Sequence, residues 1–171
     1  MQGGNAAVIK INKNGVKLWS STFEDVFYYA PYSASVNSVF EVSDGYIFAG
    51  NGNPSESSTM SGACGILLKT NYSGTKSWSR NYSDFKIIRK ALPTIDGGYI
   101  LAGDTYTKGP GGCDMYLVKT NSSGDITWTK VFGTATADES CLSMEATKDG
   151  GFLLLGSNGL IVKTDENGDV E

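Results

Sequence analysis

Histidine is missing from all 171 residues of the sequence. That removes the commonest general base, the commonest zinc ligand and every Ser-His or Cys-His nucleophile pair. What chemistry remains must come from carboxylates, lysines and three cysteines. No Cys-x-x-Cys, no glycine-rich phosphate loop opening a helix and no metal-ligand spacing occurs. The acidic pairs Glu24-Asp25 and Asp138-Glu139 fall in loop-forming stretches and read as solvated surface. A glycan-active enzyme that draws two carboxylates from distant parts of the chain stays open, because such residues need not be adjacent. Residues 165–169 (DENGD) look superficially like a calcium loop, but a full one needs D-x-[DN]-x-[DN]-G and a later Glu. The expectation is a chain with no catalytic residue, no metal and no cofactor.

Two groups of residues point to binding or modification instead. Residues 27–32 (FYYAPY) concentrate aromatic rings in a loop, and Tyr28, Tyr29 and Tyr32 are the candidates for stacking on a sugar; loop packing is the plainer role for them. Asn71, Asn81 and Asn121 each open an Asn-x-Ser triplet, an N-glycosylation acceptor in an exported protein, whereas Pro54 excludes Asn53.

Composition excludes several partners. A formal charge of −4 and a pI near 4.8 argue against nucleic acid, which needs a concentrated basic surface. The longest apolar stretch, residues 152–155, is far too short for membrane insertion. Residues 1–5 (MQGGN) have neither the basic start nor the apolar segment of a signal peptide; an exported protein would carry its signal outside these residues. Abundant Gly, Tyr, Ser, Thr and Asn, without helix-forming runs, favour an all-β chain.

The elements that position these residues follow from an internal repeat. Segments 8–19 (VIKINKNGVKLW), 67–78 (LLKTNYSGTKSW) and 117–128 (LVKTNSSGDITW) align without gaps. Lys10, Lys69 and Lys119 each stand five residues before a glycine and nine before a tryptophan, and a further copy opens at Lys163 and Gly168. A second block alternates with the first: 44–50 (DGYIFAG), 96–103 (DGGYILAG) and 149–156 (DGGFLLLG), with closing glycines 53 residues apart. Each period reads as four short strands, in the best copy 87–92, 99–102, 115–119 and 126–132, with hairpin turns at 96–98 and 121–124. Four strands repeating every ~40–50 residues predict a β-propeller of four-stranded antiparallel blades. The chain would hold about three and a half of them in one repeat region, residues 1–171, divided as 1–34 (partial), 35–83, 84–133 and 134–171 (partial).

These blocks resemble a β-propeller repeat family common in archaeal and bacterial surface proteins. Its pattern runs roughly D-G-G-Y-I-L-A-G-x-T, a variable loop, then D-x-x-L-V-K-T-D-x-x-G-x-x-x-W-x-K-x-F-G. Residues 96–133 follow it nearly residue for residue, while the first copy departs, with one glycine in its hairpin and 63–65 (ACG) where an Asp is expected. The Gly-x-x-x-Trp turn also echoes the quinoprotein propeller repeat, but Thr70, Thr120 and Thr164 stand where that repeat has Asp. The family resemblance implies the fold and an extracellular array, and it assigns no ligand.

Within such blades each Trp is expected to be buried packing, each third-turn Gly to supply a positive φ, and each repeated Lys to be ordered against a carboxylate or carbonyls. Cys113 and Cys141 would lie on one propeller face and are the expected disulfide pair, with Cys64 left over. Three blades do not close a ring, so partners are expected: further blades of the same protein, another copy, or another surface subunit. The functional expectation is a non-catalytic extracellular or cell-surface scaffold or adhesion protein. The alternative is a carbohydrate-binding propeller with glycans as partners.

Overall fold

The computed structural model describes residues 7–23, 26, 35–52 and 64–171. Every regular element among them is a strand, apart from one 3-10 turn at Ser157–Gly159. The strands form four antiparallel sheets in chain order, and no sheet closes on itself. The first holds β1 (Ala7–Ile11) and β2 (Lys17–Thr22). The second runs through β3 (Ser35–Val42), β4 (Gly45–Gly52), β5 (Cys64–Thr70) and β6 (Lys76–Tyr82). The third contains β7 (Ile87–Pro93), β8 (Tyr99–Thr105), β9 (Asp114–Thr120) and β10 (Ile126–Phe132). The fourth consists of β11 (Cys141–Ala146), β12 (Phe152–Gly156) and β13 (Ile161–Thr164), with a further bridge from Thr164 to Val170.

The sequence repeat is a repeat of register. Tyr46 pairs with Thr70, Tyr99 with Thr120 and Phe152 with Thr164, so the residue that follows each aromatic faces Lys69, Lys119 or Lys163. Even the irregularities recur. The first strand of each of the last three sheets shifts register at Asn37, Arg89 and Leu142. A bulge of this kind strengthens the local twist and re-aims the strand.

The core lies between sheets. Tyr99, Leu101, Tyr116 and Val118 face the second sheet and meet Ile47, Ala49 and Leu67. The alternate residues of the same strands, Ile100, Ala102, Met115 and Leu117, face the fourth sheet and meet Met144, Phe152 and Leu154. Burial on both faces explains why β8 and β9 read as continuous apolar runs instead of the alternation of a half-exposed strand. Each such fully buried large side chain contributes about 1.5–3 kcal/mol of transfer free energy.

The tryptophans occupy equivalent positions, each half-buried, and Trp78 and Trp128 pack against the core clusters between sheets. Each ring lies over the third turn of the following sheet. A Cβ on Gly74 would stand 2.8 Å from the Trp19 ring, one on Gly124 3.1 Å from Trp78, and one on Gly168 2.8 Å from Trp128. These glycines therefore have two reasons to recur: a φ near +80°, and a flat seat for the neighbouring indole. The second reason connects different sheets, and local turn chemistry alone does not reveal it.

Candidate functional site

Two ends of the sheet stack present side chains to solvent, and they differ in chemistry. At the hairpin end, the repeated lysines are tied to the Asp that opens each second block. Lys69 Nζ is 2.8 Å from Asp44, Lys119 2.6 Å from Asp96 and Lys163 2.9 Å from Asp149. In the first sheet Lys10 instead donates to the Tyr46 hydroxyl of the next sheet and rests 5.1 Å from that ring's centre. Lys119 has its stem buried and also donates to the Thr120 carbonyl at 3.0 Å. The expected structural role fits this geometry: Lys69, Lys119 and Lys163 each hold the Asp of a hairpin turn in their own sheet, and Lys10 is ordered against the next sheet.

The ion pair leaves a titration signature. The Lys119 ammonium, and after it the Thr94 hydroxyl and the Gly98 N–H, hold the Asp96 carboxyl down to about 2. Asp149 is likewise depressed, by Thr147 first and then Lys163. A depressed folded-state pKa contributes stability that is fully present above the ordinary carboxylate value. It is lost as pH falls from about 4 through about 2. Because Asp96 is largely exposed, solvent screens the pair, and the clean observable is the titration itself. Lys119→Met is expected to return the Asp96 midpoint toward 3.8, read from the side-chain carboxyl carbon by NMR. A midpoint unmoved by that substitution would show that the turn donors alone set it.

The opposite end collects the connections after β8, β10 and β12. Three carboxylates are buried there: Asp104, Asp114 and Glu139. Asp104 Oδ2 accepts from Arg89 Nη2 at 2.8 Å, and its Oδ1 accepts from the Cys141 N–H of the next sheet at 2.8 Å. Glu139 accepts from the Thr134 hydroxyl at 2.7 Å and from the Thr134 N–H at 2.9 Å. Asp138 accepts from the Cys113 N–H at 3.0 Å, and the Glu139 N–H donates to the Cys113 carbonyl at 2.7 Å. Asp114 Oδ2 accepts from the Gly111 N–H at 3.1 Å, while Oδ1 has no partner. Asp104 thus ties the third sheet to β11 of the fourth, while Asp138 and Glu139 tie the 133–140 connection back to Cys113. The sequence placed Asp138 and Glu139 together on a solvated surface; that is corrected for Glu139, which the 133–140 connection folds inward.

The residues singled out from sequence are dispersed. Tyr28, Tyr29 and Tyr32 lie outside the described residues. Asn71 and Asn121 are exposed in third turns, and Asn81 is exposed on β6. Asn71 Oδ1 accepts from the Ser73 and Thr75 N–H groups, both at 3.0 Å. Asn121 Oδ1 accepts from those of Ser123 and Asp125, both at 2.9 Å. Asn12 and Asp165 cap the equivalent turns of the first and fourth sheets. Capping explains why Asn recurs at this position; it uses Oδ1, so attachment of a glycan at Nδ2 does not compete with it.

Cys64, Cys113 and Cys141 are buried free thiols, so the expected bridge between Cys113 and Cys141 is not formed in the structure. Cys113 Sγ lies 3.6 Å from the Ser140 hydroxyl and Cys141 Sγ 3.7 Å from the Ser143 carbonyl. Burial pushes the Cys64 thiol up to about 11 and the Cys141 thiol up to about 12, values that suit inert thiols and not nucleophiles.

A shallow open cleft of about 420 Å³ lies at the hairpin end, lined by Asp44, Lys69, Pro93, Gly98 and Tyr99 among others. It contains one closed ion pair and no nucleophile–base pair. Among the described residues no three Asp, Glu or Cys side chains come together as a metal-ligating group, and no helix is long and apolar enough to cross a membrane. No protein-family model matches the chain, and no curated protein matches it.

Proposed function

We propose that the sheets are blades of a β-propeller, and that the chain is a non-catalytic scaffold module of an extracellular or cell-surface assembly. It acts by stacking further sheets on its two outer faces. The observation that carries this reading is a mismatch between register and burial. Leu153, Leu155 and Ile161 are 42%, 44% and 64% exposed, at repeat positions where Ile100, Ala102 and Leu117 are fully buried against the fourth sheet. On the other outer face Ile9 is 61% exposed, where its counterparts Leu68 and Val118 are fully buried. The interior sheets thus record what covers such a face: the opposite face of another sheet of the same type. The Asn-x-Ser triplets and the sparse charge support an exported location.

Sedimentation equilibrium of the chain tests this. Association should rise with concentration in the micromolar range, and Leu155→Asp combined with Ile161→Asp should weaken it at least tenfold, about 1.4 kcal/mol or more. These positions are already exposed, so the variant should melt within a few degrees of the parent. A monomer up to roughly 100 μM, well above the micromolar dissociation range, would sink the reading.

A further inference from the structure

Where the connection after β8 meets the connection after β10, oxygen atoms gather around backbone that carries no side chain. A Cβ on Gly111 would stand 2.5 Å from the Thr134 carbonyl oxygen, 2.9 Å from that of Ala137 and 3.2 Å from Asp114 Oδ1. A Cβ on Gly133 would stand 1.9 Å from Asp114 Oδ1 and 3.0 Å from Glu139 Oε2. The space a side chain would need at these two glycines is thus taken up by the oxygens of two carboxylates and two carbonyls.

The charge in this space is unbalanced. Asp114 is fully buried and its Oδ1 has no hydrogen-bond partner. Among the described residues, none of Asp114, Asp138 and Glu139 forms an ion pair, whereas the neighbouring buried carboxylate, Asp104, is matched by Arg89. A buried acceptor left unmade is costly, and more so when charged. Most buried polar groups in a folded chain have a partner, and an orphan at the centre of an oxygen cluster implies one that the polypeptide does not supply.

We propose that this junction is a binding site for a hard divalent cation of the calcium class. Asp114 and Glu139 supply the carboxylates, Thr134 and Ala137 supply carbonyl oxygens, and water completes the shell. The ligand chemistry selects the ion. Calcium takes six to eight oxygens in flexible geometry and mixes carboxylates with backbone carbonyls. Zinc prefers nitrogen and sulfur, and magnesium demands a tight octahedron with several waters. Two carboxylates correspond to the weaker range, about 10⁻⁴–10⁻³ M, typical of extracellular modules. The bound ion would join the end of the third sheet to the 133–140 connection that leads into the fourth. The site stands whether or not the chain associates through its outer faces.

The test is thermal unfolding of the whole chain in calcium chloride from zero to about 10 mM, with magnesium chloride and ionic strength matched by sodium chloride as comparators. Calcium should raise the midpoint by about 3–10 °C. Asp114→Asn should move the titration midpoint at least tenfold higher, and so should Glu139→Gln, while Asp44→Asn at the far end should leave it alone. If Asp114→Asn does not fold, Glu139→Gln together with equilibrium dialysis of calcium-45 against the unaltered chain decides, with one ion per chain expected. No shift beyond the sodium control, an equal shift with magnesium, or a shift retained in the variants overturns the site.

Discussion

Tyr116→Ala should lower the stability of the chain by about 3–5 kcal/mol and its melting midpoint by about 10 °C. Tyr116 belongs to β9 and is among the largest fully buried side chains. Its ring packs on Phe85 with centroids 4.8 Å apart, inside the cluster that joins the second and third sheets. Truncation removes both the transfer free energy of the ring and its dispersion contacts. The cavity cannot close easily, because β9 is laddered to β8 on one side and to β10 on the other. Urea unfolding gives the difference directly. Ile95→Ala, at a side chain wholly exposed in the hairpin turn, should change stability by no more than about 0.5 kcal/mol. A loss below about 1.5 kcal/mol for Tyr116→Ala would mean that the sheets slide to fill the gap and that the interface is not close-packed.

The second large effect comes from adjacent glycines that fail for different reasons. A Cβ on Gly98 would stand 2.0 Å from the Thr120 carbonyl oxygen and 2.9 Å from Lys119 Nζ. Backbone cannot step aside without parting β8 from β9, so Gly98→Ala should cost about 3 kcal/mol or more. Gly97 has φ +80° and open space around its Cβ position, so Gly97→Ala carries only the left-handed backbone penalty of about 1–2 kcal/mol. Equilibrium unfolding of the two variants should rank them in that order. Equal or reversed losses would show that the hairpin is loose enough to admit a side chain beside Thr120. The same geometry accounts for the hairpin that has one glycine instead of two. Gly45 takes the position of close approach, with a Cβ site 1.8 Å from the Thr70 carbonyl oxygen.

Much of the local structure was legible because it depends on neighbours in the chain. The strands expected at 87–92, 99–102, 115–119 and 126–132 appear as Ile87–Pro93, Tyr99–Thr105, Asp114–Thr120 and Ile126–Phe132. The lysine spacing correctly pointed to an ordered cation with a carboxylate partner, since Lys119 on β9 meets Asp96 in the turn that leads into the adjoining β8. Turn positions at Gly74 and Gly124 were equally plain from their Asn-x-x-Gly chemistry.

What the sequence determined alone, then, was periodic: which residues form strands, where hairpins turn, and that one unit recurs. Long-range contacts decided the rest. The half-burial of Trp78 depends on Gly124 in the next sheet. The inward turn of Glu139 depends on the backbone of Thr134 and Cys113. The orphaned oxygen of Asp114 arises where two connections of unlike sequence cross. Strand and turn preferences are set by φ/ψ sterics and alternation over a few residues, so they are written into short segments. Burial of a charge is set by what packs above it from dozens of residues away, and only the folded chain brings those atoms together.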